Sequence, residues 1–273
     1  MTQEQMKQIS AIQLQIMDQV HEICCKHGIT YYMIAGTLLG AVRHGGFIPW
    51  DLDIDIAMPR GDYERFKEVC ARELPEPYAY MDHCSYRNYV RPHALVVRTD
   101  TRLHLKYDAN NPKALQLGVY LDIFPLDNAP EEEALRQKQA KALKRVRKFK
   151  SWRLPYSYSH KKWKRYLHYA VSGLLFWASV PAINRYEQKQ MRRYEDADTT
   201  CICSMGSQYA YKKQCMERTV YGTPVLLDFE DRKYFAPQHY TDYLTRLYGD
   251  YMQLPPPEKR QANLQVYTAL EFL

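Results

Sequence analysis

The sequence predicts an α/β protein: a mixed sheet flanked by helices, with a basic helical insertion near residues 131 to 200. Three observations lead there. Ile9, Ile12, Ile16, Val20 and Ile23 recur every three or four positions, a helical period. The runs DIDIAM (53–58) and GVYLDIF (118–124) read as strands, the first by strict alternation. From Arg136 to Arg165 there are 13 Lys or Arg and no Asp or Glu, in a stretch of helical character.

Taken in order, the first helix spans residues 4–27 and stops at Gly28. Ile29 to Ala35 reads as a short buried strand. Gly36-Thr37 breaks it, Leu38 to Arg43 suits a brief helix, and Gly45, Gly46 and Pro49 mark a loop. After the strand at 53–58, Pro59-Arg60-Gly61 turns the chain and Asp62 is placed to cap a helix through Glu73. Strand-like runs follow at Ala94–Arg98 and Arg102–Tyr107. The strand at 118–124 is expected to end at Pro125, with Asp127-Asn128 in a turn. Pro237 suits the first turn of a last helix, which carries Tyr240, Tyr243, Leu244, Leu247 and Tyr248 inward and ends at Gly249. Pro255-Pro256-Pro257 is expected to close the compact part.

The composition narrows the function classes. Of 273 residues, 46% are hydrophobic and 25% charged, so the bulk of the chain should fold. The polar opening MTQEQMKQIS predicts no secretory leader, and no apolar run is long enough to span a bilayer. Seven cysteines, two of them adjacent, suit a reducing cytoplasm better than a disulfide framework. Cys201, Cys203 and Cys215 lack paired knuckles and read as free thiols rather than a zinc site. The net charge is +7, so the chain outside the basic block carries −6. Such a block either meets an anionic surface or forms a solvated helix face. The apolar stretch 166–183 directly follows it, and is either a buried helix or one lying on an anionic membrane.

The chemistry concentrates in GTLLGAVRHGGFIPWDLDIDIAM, residues 36–58. Asp51, Asp53 and Asp55 alternate, so on a strand their carboxylates share one face while Leu52, Ile54 and Ile56 take the other. Three like charges that close repel, and a hard divalent cation relieves them. Such cations can clamp a phosphoryl group for displacement. Gly36-Thr37 at a helix start offers backbone N–H groups to phosphate. Asp122, mid-strand in YLDIF, needs a partner or a function and is the third carboxylate, ahead of Asp127. Arg43 and His44, then Arg98 and Lys106, are the candidate phosphate-neutralising residues. An exposed acidic edge strand that blocks aggregation is the alternative reading of the three aspartates.

The segments GTLLGAVRHGGFIPWDLDIDIAMPRGDYERF, YLDIFPLD and HYTDYLTRLYGDYMQLPPPEKR resemble the LicD family; together they cover about 60 residues. The resemblance implies a nucleotidyltransferase-type fold and transfer of phosphocholine from CDP-choline to a cell-surface glycan. Related fukutin-type enzymes transfer ribitol phosphate from CDP-ribitol. It further implies that Asp53 and Asp55 bind Mg²⁺ or Mn²⁺, and that Asp122 serves as third ligand or as base toward the acceptor hydroxyl. Gly36 and Thr37 would contact donor phosphates, CMP would leave, and the acceptor would be lipid-linked at the inner membrane face. No nucleic-acid partner is expected. Two departures stand out: Leu52 replaces an Asp of the family's PWDDDIDI, and Asn263 stands where relatives carry His. Leu52 points away from the aspartate face, so metal binding should survive. Transfer of a nucleoside monophosphate on the same fold is the rival enzymatic reading. A non-catalytic binding module is the third.

Overall fold

The computed structural model describes residues 2–106, 115–154, 159, 161–260 and 267–273. Tyr107 and Asn263 lie outside the described residues. Helix α1 (Gln3–His27) opens on a capping box: the Thr2 hydroxyl accepts the Gln5 N–H, and the Gln5 side chain accepts the Thr2 N–H. It buries Ile9, Ile12, Ile16, Val20 and Ile23 and stops at Gly28, whose φ of 59° lies in the left-handed region.

The strand expected at Ile29–Ala35 shrinks to β1 (Tyr32–Met33). Ile29 and Ile34 are buried, but only Tyr32 and Met33 pair, antiparallel to β2 (Asp55–Pro59). Between them α2 (Ala35–His44) takes Gly36 and Thr37 into its first turn. Helix α3 (Arg60–Glu73) is not capped by Asp62. That carboxylate instead accepts the Thr30 N–H at 3.2 Å and an Arg65 guanidinium N–H at 2.8 Å. Strands β3 (Tyr78–Met81) and β4 (Ala94–Arg98) follow, then β5 (Thr101–Leu105).

Strand β6 (Tyr120–Ala129) passes straight through Pro125, against expectation. Asp127 is therefore no turn residue. It is buried, and its carboxylate accepts from Arg60 Nε at 2.7 Å and a terminal Arg60 nitrogen at 2.8 Å. The central sheet runs β1-β2-β6-β4-β3. β2 and β6 are parallel, and β6 is antiparallel to β4.

Helices α4 (Glu133–Arg153), α5 (Lys162–Leu174) and α6 (Val180–Met191) form the basic segment. Part of its charge points inward: Arg147 and buried Lys150 both bond to the buried Glu187. The chain returns as β7 (Cys201–Cys203), which extends the sheet from the far end of β6, then α7 (Tyr211–Gln214), β8 (Cys215–Glu217) and α8 (Arg218–Tyr221). Cys203 faces Cys215 across β7 and β8, and all three cysteines there are buried free thiols. Burial raises the thiols of Cys203 and Cys215. A hairpin of β9 (Val225–Phe229) and β10 (Arg232–Ala236) leads to α9 (Tyr240–Tyr248), which begins three residues after Pro237 and ends at Gly249. The triple proline does not close the fold. Beyond it, β11 (Tyr267–Phe272) pairs with β5.

Candidate active site

The site is built where β2 and β6 run side by side. Their register puts Asp55 directly opposite Asp122, so both carboxylates rise from one face of the sheet. Asp53 lies two residues ahead of Asp55, and Ile54 and Ile56 are buried on the other face. Thr37 holds this segment in place. Its buried hydroxyl accepts the Asp55 N–H at 2.8 Å and donates to the Asp53 carbonyl at 3.3 Å. The Thr37 side chain is thus committed to positioning the aspartates, not to meeting phosphate. Gly36 lines the cleft, and a Cβ there would come within 2.8 Å of an Asp51 carboxylate oxygen.

Around the carboxylates lie two chambers. The larger, about 540 Å³, is lined by Arg91, His93, Asp122, Arg147 and the turn Gly206–Tyr209. The smaller, about 200 Å³, is lined by Gly36, Asp51, Leu105, Tyr120 and Tyr267. Asp53, Asp55, Ala35, Gln208 and Tyr209 line both. The aspartate pair therefore stands at the boundary between a basic chamber and an acidic, tyrosine-walled one.

The electrostatics separate the carboxylates. Burial pushes Asp53 up to about 6; the Tyr267 hydroxyl, which donates to it, opposes this, while the Asp51 and Asp122 charges add to it. Asp55 is driven well above the usual carboxylate range by burial and then by Asp122, Asp53 and Asp51. Burial also acts to raise Asp122, but Arg91 and His93 outweigh it and hold its carboxyl below the ordinary value. Arg91 donates to Asp122 at 2.9 Å and to the Tyr120 hydroxyl at 2.9 Å, and its guanidinium stacks 4.6 Å from the Tyr120 ring centre. His93 Nε2 lies 2.7 Å from the same Asp122 oxygen. Burial lowers the His93 pKa, which favours the neutral ring, and its Nδ1 has no hydrogen-bond partner among the described residues.

Asp51, Asp53 and Asp55 are half-buried, so their charge meets the pocket rather than bulk solvent. Hard oxygen donors, crowded until their ionisation is unfavourable, are the donor set a Mg²⁺- or Mn²⁺-sized cation would fit. Among the described residues, only Asp82, His83 and Cys84 bring three ligand atoms within 4.8 Å of one another. Those are consecutive turn residues, and the Asp82 carboxylate already accepts from Lys67 and from the Cys84 and Ser85 N–H groups.

Four of the basic residues singled out in the sequence lie elsewhere. Arg43 donates to the carbonyls of Tyr251 and Gln253 and leaves the cleft. His44 packs edge-on to Trp50. Arg98 pairs with Asp100 and bonds Gln15, further along β4. Lys106 is exposed and lines neither chamber. The arginines that do line the larger chamber are Arg91 and Arg147. Arg91 lies in an irregular segment and Arg147 in a run of look-alike cations, so no spacing marked either one. Tyr267 lies beyond the prolines expected to close the compact part, so the sequence does not mark it. His93, two residues after Arg91 in RPHALVV, carried only a weak signal.

These features define a protein with a nucleotidyltransferase-type acidic centre on a mixed sheet. Residues 28–158 match the family model described as LicD/FKTN/FKRP, nucleotidyltransferase domain. That match covers just under half of the chain. It is 28% identical over 257 residues to the lipopolysaccharide cholinephosphotransferase LicD of Haemophilus influenzae, covering 92% of each chain. A 118-residue stretch is 39% identical to the uncharacterized protein RP689 of Rickettsia prowazekii, 43% of this chain and 40% of that one. A further 31 residues are 52% identical to human ribitol 5-phosphate transferase FKRP, 11% of this chain and 6% of that one. Both relatives with a named activity transfer phosphate-bearing groups.

Proposed function

We propose that this protein transfers a substituted phosphate, phosphocholine or a close analogue, from a CDP-activated donor to a sugar hydroxyl of a cell-surface glycan. The observation that carries the reading is the aspartate pair shared by two chambers of opposite character. A transferase must hold a donor and an acceptor on either side of the phosphorus, and two connected chambers supply both places. Arg91 and Arg147 in the larger chamber suit the pyrophosphate of the donor, since guanidinium groups bind phosphate oxygens in pairs. The first turn of α2 adds backbone N–H groups beside Gly36. Asp53, Asp55 and Asp122 would hold the divalent cation, which supplies charge neutralisation on the donor phosphates.

Arg91 and His93 keep Asp122 ionised and oriented. A carboxylate held below its ordinary pKa is a weak base, so this setting favours a ligand role for Asp122 over the base role. In the transfer itself the acceptor oxygen bonds to phosphorus, the bond from phosphorus to the CMP oxygen breaks, and CMP leaves. The hydroxyl proton passes to a carboxylate of the same wall. The acceptor in this reading is lipid-linked and handled at the cytoplasmic face of a membrane.

The test is CMP release from CDP-choline, CDP-ribitol and CDP-glycerol with a cell-wall glycan acceptor, in Mg²⁺ and in EDTA. One donor should give metal-dependent CMP, lost in Asp53→Asn/Asp55→Asn. Full activity of that variant would sink the site assignment. Incorporation of a nucleotide from an NTP, with no CMP from any donor, would move the protein to nucleoside monophosphate transfer.

A further inference from the structure

Helix α5 is inside out. The face it turns to the protein is polar: buried His168 donates its Nε2–H to the Leu154 carbonyl at 2.9 Å, and buried Ser172 donates to the Arg153 carbonyl at 3.0 Å. The opposite face carries Trp163, Leu167, Ala170 and Leu174, spaced four, three and four apart, with Tyr166 beside them. Those positions form one stripe on a 3.6-residue helix. Trp163 is 62% exposed, Tyr166 71% and Leu174 76%, and the turn that follows adds Phe176 at 76% and Trp177 at 70%. Lys162 and Lys164 flank the stripe on either side, and the Lys164 ammonium lies 5.5 Å from the Trp163 ring centre. Next to it, Phe149, Trp177, Ile183 and Tyr186 line an apolar groove of about 520 Å³. Among the described residues, no helix is long and apolar enough to cross a membrane.

We infer that α5 and the Phe176–Trp177 turn dock this protein in-plane on an anionic lipid bilayer. Charge selects the occupant. From Ala134 to Tyr186 the sequence has no Asp or Glu, Lys161, Lys162 and Lys164 are exposed at the start of α5, and exposed Arg145 lines the adjoining groove. A second copy would bring this cationic face against its like. An anionic bilayer meets both features at once: acyl chains and the interface take up the Trp, Phe and Leu side chains, and lipid phosphates meet the lysines. The placement also serves the site. α4 presents Lys144 and Lys148 outward and sends Arg147 into the larger chamber, so the docked helix pair orients that chamber relative to the lipid surface. This deepens the lipid-linked acceptor part of the proposed function, but its test needs neither donor nor acceptor, so the two can fail separately.

The experiment is flotation of the full chain with phosphatidylcholine vesicles, with and without phosphatidylglycerol, read beside tryptophan emission. The chain should float with the anionic vesicles, its emission should shift to the blue, and added salt should weaken binding. Trp163→Ser/Phe176→Ser/Trp177→Ser should lose about tenfold or more in partitioning, and Lys162→Gln about fivefold on anionic vesicles alone. Because the three replaced side chains are exposed, circular dichroism and the melting temperature should match wild type. Three results would overturn the inference: no flotation by the wild-type chain, equal flotation by the triple variant, or lipid-free oligomers that the triple variant dissolves. The last would make the patch a self-association surface.

Discussion

Replacing Asp53 by Asn should stabilise the metal-free protein while abolishing transfer. The carboxyl of Asp53 rises from its ordinary 3.8 to about 6 in the folded chain, with burial as the main cause. A folded pKa above the unfolded one means that ionisation works against folding. The cost is absent below about pH 4, grows as pH rises through the interval, and is complete above about 6. That rise corresponds to roughly 3 kcal/mol at pH 7. Asp53 is half-buried and faces the cleft, so solvent screening reduces the gain to about 1–2 kcal/mol. Asn still accepts the Tyr267 hydroxyl, so that bond is weakened rather than lost. For a chain of this size the melting temperature should climb by about 2–6 °C. The assay is thermal melting in EDTA at pH 7 and at pH 5, then with Mg²⁺ at pH 7. The gain should shrink at pH 5, and Mg²⁺ should stabilise wild type but not the variant. If Asp53→Asn melts below wild type in EDTA at pH 7, or keeps its whole advantage at pH 5, the account of the strained carboxylate is wrong.

Further outcomes follow from the same geometry. Tyr267→Phe removes the donor that holds Asp53 down, so the acid limb of Mn²⁺ binding, followed by calorimetry across pH, should move up by about one pH unit; a limb that stays put would show that this bond does not tune the site. Arg91→Gln takes away a cation that keeps Asp122 ionised and leaves the donor phosphates less neutralised, and CMP release should fall about hundredfold with the fold intact by circular dichroism. Asp127→Asn strands the Arg60 guanidinium in a buried setting and should cost about 3–5 kcal/mol in urea unfolding. A loss under 1 kcal/mol there would mean that water reaches Arg60.

Much of the chain's local structure could be read from pattern. The helical period of Ile9 to Ile23 and the Gly28 stop carry α1 end to end, because side-chain spacing and a left-handed residue are local properties. The run ALVVR marks β4 without error. Asp127 went the other way. Pro125 and Asp-Asn normally signal a turn, yet Arg60 from the next strand's helix turns Asp127 into half of a buried ion pair, and the strand continues. Likewise Lys150 reads as one more cation of a solvated face until Glu187, 37 residues away, meets it in the interior.

The aspartates show where the boundary lies. Alternation predicted that Asp51, Asp53 and Asp55 are directed together and that Leu52 and Ile54 are not; the strand itself begins only at Asp55, yet the three aspartates line one chamber while Leu52 and Ile54 are buried. That Asp122 joins them rests on a parallel register between β2 and β6, a pairing of residues 67 apart that no local pattern encodes. The cations were decided the same way. Arg43 and His44 shortly precede the acidic motif in sequence, but a helix carries them out of the cleft, and the loop before β4 brings in Arg91 and His93. Tyr267 arrives from the C-terminal strand across β5. The sequence by itself determined which residue types the chemistry needs. Only the tertiary structure chose which copies meet, because electrostatic partners are selected by distance in space and not along the chain.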